Sequence, residues 1–135
     1  MSAAEETLAL HLMAEKLTGW DREYRFGAMA AGGPGKGLRK RLADADLKDW
    51  RFDFAHPGLG LAVEVEGITR YGKTRSGKMA LGRHQTSKGM EEDLRKYDAA
   101  MRMGWTVYRC SPLMVRQGHA IETIKRLVQA AEECA

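Results

Sequence analysis

Three carboxylates, Asp53, Glu64 and Glu66, stand on two short apolar segments whose spacing can bring them together. Residues 50–55 alternate aromatic with polar side chains, and residues 61–66 alternate aliphatic with small or acidic ones, which is the period of a β-strand. A His-Pro-Gly turn separates the two segments. The pattern therefore predicts a β-hairpin with Asp53 on one strand and with Glu64 and Glu66 on one face of the other.

Such a group of like charges needs a physical reason, because neighbouring carboxylates repel each other and resist burial. Mg²⁺ and Mn²⁺ prefer hard oxygen ligands, commonly one or two carboxylates together with water and substrate phosphates. A bound metal removes the repulsion, polarises a phosphate and lowers the pKa of a bound water. The alternative is a solvated edge strand on which Glu64 and Glu66 pair with Arg51 and nearby lysines.

Basic residues follow the acidic strand. The stretch 67–90 contains no Asp or Glu, and its basic residues are Arg70, Lys73, Arg75, Lys78, Arg83 and Lys88. A second basic run consists of Lys36, Arg39, Lys40 and Arg41. Each run can also be a solvated loop, but a metal site that acts on an anionic polymer needs a basic surface next to it. The net charge of +4 adds only a mild preference for anionic partners, and the first run, which directly follows the acidic strand, is predicted to contact phosphates.

Five segments carry a resemblance to a known family: residues 50–54, 61–67, 82–84, 92–97 and 104–109. In this order and spacing the chain resembles the PD-(D/E)xK nuclease superfamily, and more narrowly its small phage-type and very-short-patch-repair-like endonucleases, over roughly residues 48–128. The resemblance implies an α/β fold with a restriction-endonuclease-like αβββαβ core, a mixed central sheet flanked by helices. It also implies a single nuclease domain over residues 1–135 that hydrolyses DNA with Mg²⁺ or Mn²⁺.

The resemblance implies roles for individual residues. Asp53 and Glu64 would be metal ligands, with the backbone carbonyl of Val65 as a third. An acidic residue of the first helix often completes such sites, which indicates Glu6, with Glu5 as the second choice.

At Glu66 the chain departs from the family pattern, which usually has a lysine there to orient or activate the attacking water. Either Glu66 is itself a ligand or a base, or a basic residue reaches the site from elsewhere. Lys96 is the first candidate, although it can equally pair with Glu92 on the helix surface. Lys88 is a further candidate, and His84 is a candidate general base or phosphate contact.

The sequence indicates the substrate less directly than it indicates the site. A chain of this length has no room for a separate sequence-reading domain, which favours recognition of DNA structure, such as a junction, flap, mismatch or nick, in repair or recombination in a bacterium or phage. Cleavage of both strands needs two sites and is compatible with a homodimer. Two hypotheses compete with a nuclease: a DNA-binding module with a disabled site, and a scaffold whose basic loops bind an acidic protein.

Further elements are predicted around the hairpin. Ser2 and Glu5 form a capping box that starts a helix of about 3–17. Glu23 to Phe26 suggest a short strand. The many glycines from residue 27 predict a flexible, basic insertion of about 27–47, which includes a short helix at 38–47.

The last third of the chain predicts a helix, a strand and a helix. The first helix begins at Thr86 or Ser87 and ends near Met103, and its predicted buried stripe consists of Met90, Leu94, Tyr97 and Met101. Residues 105–110 form a strand that places Cys110 in the interior. Ser111 and Pro112 cap a following helical segment, and the final helix buries Ile121, Ile124, Val128 and Ala131.

Composition excludes several other classes. The chain contains no apolar run long enough to cross a membrane, and its acidic start does not resemble a secretion signal, so we expect a cytoplasmic protein without a membrane partner. Two cysteines outside any CxxC pair and four scattered histidines argue against a structural zinc site.

Overall fold

The computed structural model describes residues 2–67, 70–73, 79–81 and 87–134, and within 70–73 and 79–81 it describes the backbone alone. In chain order the elements are α1 (Ala3–Ala14), β1 (Asp21–Tyr24), α2 (Phe26–Ala30), α3 (Leu38–Asp44), β2 (Phe52–His56), β3 (Leu61–Val65), β4 (Arg70–Lys73), β5 (Met79–Leu81), α4 (Ser87–Arg102), β6 (Thr106–Cys110), α5 (Pro112–Arg116) and α6 (His119–Glu133).

Four of the strands form one mixed sheet in the order β1-β2-β3-β6. Strand β2 runs antiparallel to both β1 and β3, and β6 runs parallel to β3. A parallel neighbour requires a crossover connection, which α4 supplies. The predicted α/β class with a mixed sheet flanked by helices is therefore confirmed, as is the hairpin of β2 and β3.

Hydrophobic clusters cover both faces of this sheet. Leu61 and Val63 point to one face and Ala62 to the other, as the pleat requires. The first cluster joins the sheet to α1, α5 and α6 through Leu8, Leu12, Phe54, Leu61, Val63, Val115, Ile121, Ile124 and Val128. The second joins it to α2 and α4 through Phe26, Phe52, Ala55, Ala62 and Ala100.

Helix α4 presents a different face to the sheet from the one predicted. Met90, Leu94 and Met101 are exposed by 53%, 64% and 75%, whereas Ala99 and Ala100 are buried. Hydrophobic period reveals an apolar stripe but not the direction in which it points, and small alanines let a helix approach a sheet closely. The prediction of a buried stripe of Met90, Leu94 and Met101 is therefore wrong.

The alternation predicted for β2 is also wrong in one respect. Phe54 packs in the first cluster, whereas Phe52 and Trp50 pack in the second. On the neighbouring strand Glu23 has a φ of 51°, which is unusual for a residue other than glycine. Regular alternation is thus broken between the two phenylalanines, at Asp53.

The glycine-rich insertion contains more structure than predicted. Residues 26–30 form the helix α2, so the open loop predicted from residue 27 is wrong there, whereas the short helix predicted at 38–47 is confirmed as α3. Arg41 stabilises the segment between α2 and α3 by donating hydrogen bonds to the carbonyls of Ala31, Gly33 and Lys36. Gly27 is required because a Cβ there would lie 1.9 Å from the carbonyl oxygen of Lys48.

Other predicted boundaries differ by less. Helix α1 has the expected capping box but ends at Ala14 instead of Leu17. The stretch predicted as a basic loop contains the hairpin β4-β5. Among the described residues, no helix combines the length and the hydropathy needed to span a bilayer.

Candidate functional site

The central pair of predicted residues meets across the hairpin. The register of β2 and β3, in which Phe54 lies opposite Val63, sets Asp53 opposite Glu64. Asp53 Oδ2 accepts a hydrogen bond of 2.7 Å from the Val65 N–H. The Glu64 side chain lies beside it and is only 6% exposed. Asp53, Glu64 and Val65 are thus neighbours, as the sequence predicts.

Lys96 reaches this pair from α4. Its Nζ donates to Glu64 Oε1 in a largely buried ion pair. The ammonium also lies 5.8 Å from the centre of the Phe52 ring and 5.4 Å from that of Tyr97. Lys96 therefore lies at the carboxylates, in accord with its interpretation as a residue of the site.

A cleft of about 520 Å³ gives access to these groups. Asp53, Glu64 and Lys96 line it, together with Lys48, Asp49, Trp50, Arg51, Glu92, Asp93 and Arg95. The lining of the cleft thus carries both signs of charge.

The carboxyl groups of the site hold their protons more tightly than usual. Burial raises the pKa of Glu64 to about 7, and the charge of Asp53 adds to this effect, although Lys96 opposes it. Burial also raises the pKa of Asp53, with smaller contributions from the charges of Glu5 and Glu23. A divalent cation would favour the ionised forms of both groups.

This gives a pH dependence of stability in metal-free protein. Because the folded pKa of Glu64 lies above its ordinary value of 4.5, the group stabilises the fold at low pH, and this stabilisation is lost as the pH rises through about 7. Between pH 6 and pH 8 we expect wild type to lose about 1 kcal/mol more unfolding free energy than Glu64→Gln. Urea denaturation in EDTA at the two pH values measures this. An equal change in both proteins would contradict the assignment.

A third and a fourth carboxylate approach Asp53. Oxygens of Glu5, Glu23 and Asp53 all lie within 4.8 Å of one another. Glu6 instead pairs with Arg22 at 3.1 Å on the exposed side of α1. The first helix therefore directs Glu5, the second choice from the sequence, towards the site, and not Glu6.

Glu23 was missed in the sequence. It belongs to β1, where Arg22 lies opposite Phe54 and Tyr24 opposite Phe52, so that Glu23 lies opposite Asp53. The sequence shows an acidic residue in the predicted strand, but it does not reveal how that strand pairs with β2.

Glu66 occupies a separate network beside the cleft. Tyr97 donates a hydrogen bond of 2.6 Å to Glu66 Oε1, and Arg109 donates two, of 2.7 and 3.0 Å, to Oε2. The Arg109 guanidinium lies 4.4 Å from the centre of the Tyr97 ring. Burial and the neighbouring carboxylates raise the pKa of Tyr97, which keeps its hydroxyl a donor. Glu66 thus links α4 to β6 and does not line the cleft.

We expect Glu66→Ala to affect stability more than chemistry. It removes charge-assisted hydrogen bonds from two donors, so the free energy of unfolding should fall by about 2–3 kcal/mol. Urea denaturation measures the loss, and Tyr97→Phe, which removes one of these bonds, should cost less. A normal stability together with complete loss of metal binding would instead make Glu66 a ligand.

The predicted DNA-contacting residues fall into four groups, and Arg41 is a group of its own because its guanidinium donates to backbone carbonyls. Arg39 and Lys36 are exposed at α3, where Lys40 pairs with Asp44 at 3.0 Å, and Lys88 is exposed at the start of α4. Arg70 and Lys73 belong to β4, for which the backbone alone is described. Arg75, Lys78, Arg83 and His84 lie outside the described residues.

The donor set fits a hard divalent cation. The side chains around Asp53 offer carboxylate oxygens, which Mg²⁺ and Mn²⁺ prefer, and the described histidines and cysteines contribute no ligand to the group of Glu5, Glu23 and Asp53. Comparison with protein families, with characterised proteins and with solved structures gave no match to this chain.

Proposed function

We propose that this protein is a Mg²⁺- or Mn²⁺-dependent DNA endonuclease. The observation that carries the proposal is the contact of Lys96 with Glu64, beside Asp53, in one cleft. The sequence lacks a lysine two residues after Glu64, but a lysine from α4 lies at the same carboxylate. Two acids and one lysine are the side chains that the resemblance implies for catalysis.

The order of elements supports the finer fold assignment. Without the short helices α2 and α3 and the hairpin β4-β5, the order is α1-β1-β2-β3-α4-β6, followed by α5 and α6. This order matches the αβββαβ core of restriction-endonuclease-like proteins. In that description α2 and α3 form the insertion of about 27–47 in a single nuclease domain.

The residues of the cleft would divide the chemistry with Val65 and Glu5, which adjoin Asp53 but do not line the cleft. Asp53 and Glu64 would hold the cation, with the Val65 carbonyl and Glu5 as further ligands. Mg²⁺ or Mn²⁺ bound there supplies Lewis acidity to the phosphate and lowers the pKa of a coordinated water. Lys96 offsets the negative charge of Glu64 and can donate a hydrogen bond to a phosphate oxygen or orient the attacking water.

The basic surface supports a nucleic-acid substrate. Lys36 and Arg39 are exposed at α3 and Lys88 at α4, while Lys48 and Arg51 lie at the cleft itself. Phosphate contacts of this kind supply affinity without reading sequence. We therefore propose a structure-selective enzyme of DNA repair or recombination.

Arg39 and Arg41 should behave differently when each is replaced by Ala. Arg39 is exposed, so Arg39→Ala should weaken DNA binding and lower the slope of log K against log salt by about one. Arg41 donates to three carbonyls, so Arg41→Ala should lower the free energy of unfolding by about 2 kcal/mol. Fluorescence anisotropy at several salt concentrations and urea denaturation separate the two effects. The reverse pattern would contradict these assignments.

The proposal is tested with a panel of labelled DNA substrates: linear duplex, nicked duplex, flap, mismatch and four-way junction. Each is incubated with Mg²⁺, Mn²⁺ or EDTA, and with wild type or Asp53→Ala/Glu64→Ala protein. We expect cleavage of at least one branched or interrupted substrate, dependent on the metal and on both carboxylates. Cleavage by wild type that does not exceed that of the double variant, or that does not depend on the metal, would contradict the proposal.

One observation favours a second candidate, a DNA-binding module with a disabled site. Glu66 stands where the family pattern has lysine, and it is engaged by Tyr97 and Arg109. In this case DNA binding would persist in EDTA, and no substrate of the panel would be cut. Turnover that Glu64→Ala abolishes would exclude it.

A further inference from the structure

The outer face of α4 is apolar where a surface helix is ordinarily polar. Met90, Leu94 and Met101 all point to solvent, exposed by 53%, 64% and 75%. Their spacing of four and seven residues aligns them in one stripe along the helix. This stripe is on the side of α4 opposite to the residues that pack on the sheet, Ala99 and Ala100.

Charged residues border one side of this stripe in an alternating order. Glu91 pairs with Arg95 at 3.6 Å, and Asp98 pairs with Arg102 at 3.3 Å. At 100° per residue these four side chains fall on the same flank of the helix. From the start of the helix the flank therefore reads acid, base, acid, base.

This order makes the flank complementary to itself when two helices run antiparallel. A twofold axis perpendicular to both helices brings equivalent flanks to the same side of the interface. If Glu91 lies opposite the partner's Arg102, then Arg95 lies opposite the partner's Asp98. In each pair the midpoint of the two residue numbers lies between residues 96 and 97, so a single twofold axis at that point forms both pairs. A parallel pair would instead bring this flank against the other flank of the partner helix, which lacks this alternation.

The apolar stripe independently selects the same axis. When the twofold axis passes between residues 96 and 97, the partner's Met101 lies, along the helix axis, between Met90 and Leu94. Each Met101 then enters a hole between two apolar side chains, as in antiparallel helix packing. The charged residues and the apolar residues are separate patterns, yet both fit the same register of an antiparallel helix pair. This agreement is the argument that a second copy of the chain binds this face.

We infer that α4 is a homodimer interface, formed by antiparallel pairing with α4 of a second copy. Lys96 lies on the other side of the helix, whereas Arg95 belongs both to the charged flank and to the lining of the cleft. A helix of 16 residues is about 24 Å long, so one helix pair gives a small interface, and we expect the dimer to dissociate on dilution. If the proposed function also holds, the dimer carries two clefts, as cleavage of both strands of a duplex requires.

Sedimentation equilibrium of the whole chain, without DNA or metal, tests this inference separately from the nuclease proposal. Wild type should be a monomer–dimer system, and Leu94→Glu or Met101→Glu should raise the dimer Kd at least about tenfold, because a charge would be buried in the stripe. Met13→Glu is the matched control, since Met13 is a methionine exposed by 73% on α1. It should leave the Kd unchanged.

A charge exchange tests the register. Arg102→Glu should weaken the dimer, because the new carboxylate faces the partner's Glu91. Adding Glu91→Arg in the same chain should restore it, even though the exchange disturbs both i, i+4 pairs within each helix. A protein that is monomeric at all concentrations, a dimer insensitive to Leu94→Glu, or a double variant no tighter than Arg102→Glu would overturn the inference.

Discussion

Asp53→Asn is expected to lower the rate of metal-dependent DNA cleavage by at least about 10³-fold, since the metal contributes several kcal/mol to stabilising the transition state. The substitution removes the charge but keeps the size of the side chain. Asn can still accept the hydrogen bond that Asp53 Oδ2 accepts from the Val65 N–H. Fold and hairpin register should therefore persist, and the loss should reflect the missing ligand. Single-turnover cleavage in Mn²⁺ measures the rate.

Asp49→Asn is the matched control for this experiment. Asp49 lines the same cleft, but Arg25 holds it at 2.6 Å, and its pKa is lowered by that hydrogen bond, as expected for a paired surface carboxylate. We expect its cleavage rate to change only a few-fold. Equal losses in the two variants would show that cleavage depends on the general acidity of the cleft and not on Asp53.

Lys96→Met should lower the cleavage rate by about 10²-fold or more, because it removes a positioned cation and proton donor from the reacting groups. Methionine retains an unbranched apolar stem of similar length. Since Lys96 lowers the pKa of Glu64 against the effect of burial, its removal should raise that pKa. The acid limb of the pH–rate profile should therefore move to higher pH.

Lys88→Met provides the comparison for Lys96. Lys88 is the other described lysine that the sequence made a candidate, and it is exposed at the start of α4. Its loss should weaken DNA binding through one phosphate contact and leave the pH–rate profile in place. If Lys88→Met shifted the profile and Lys96→Met did not, the roles of the two lysines would have to be exchanged.

Local patterns in the sequence predicted the centre of the candidate site correctly. Two adjacent strands and the turn between them suffice to place Asp53 next to Glu64, because a hairpin is a local structure whose register its own turn largely sets. The capping box of Ser2 and Glu5 is equally local and is confirmed. Lys96 was one of several candidates, because which side of α4 faces the sheet depends on contacts distant in sequence.

The features that sequence did not reveal all depend on tertiary packing. Glu5 and Glu6 are adjacent, and only the docking of α1 decides which of them points to Asp53. Glu23 reaches the site because β1 pairs with β2 in one particular register. The exposed stripe of α4 has the same hydrophobic period as a buried one, so the pattern could not distinguish a core face from a surface for another molecule.

Nicking of a supercoiled plasmid in Mn²⁺ tests the central claim most directly. Wild type should convert the plasmid to the nicked or linear form in Mn²⁺ but not in EDTA, and Asp53→Asn protein purified in parallel should leave it supercoiled. The absence of any metal-dependent conversion by wild type, or equal conversion by the two proteins, would contradict the assignment of Asp53 and Glu64 to a hydrolytic metal site.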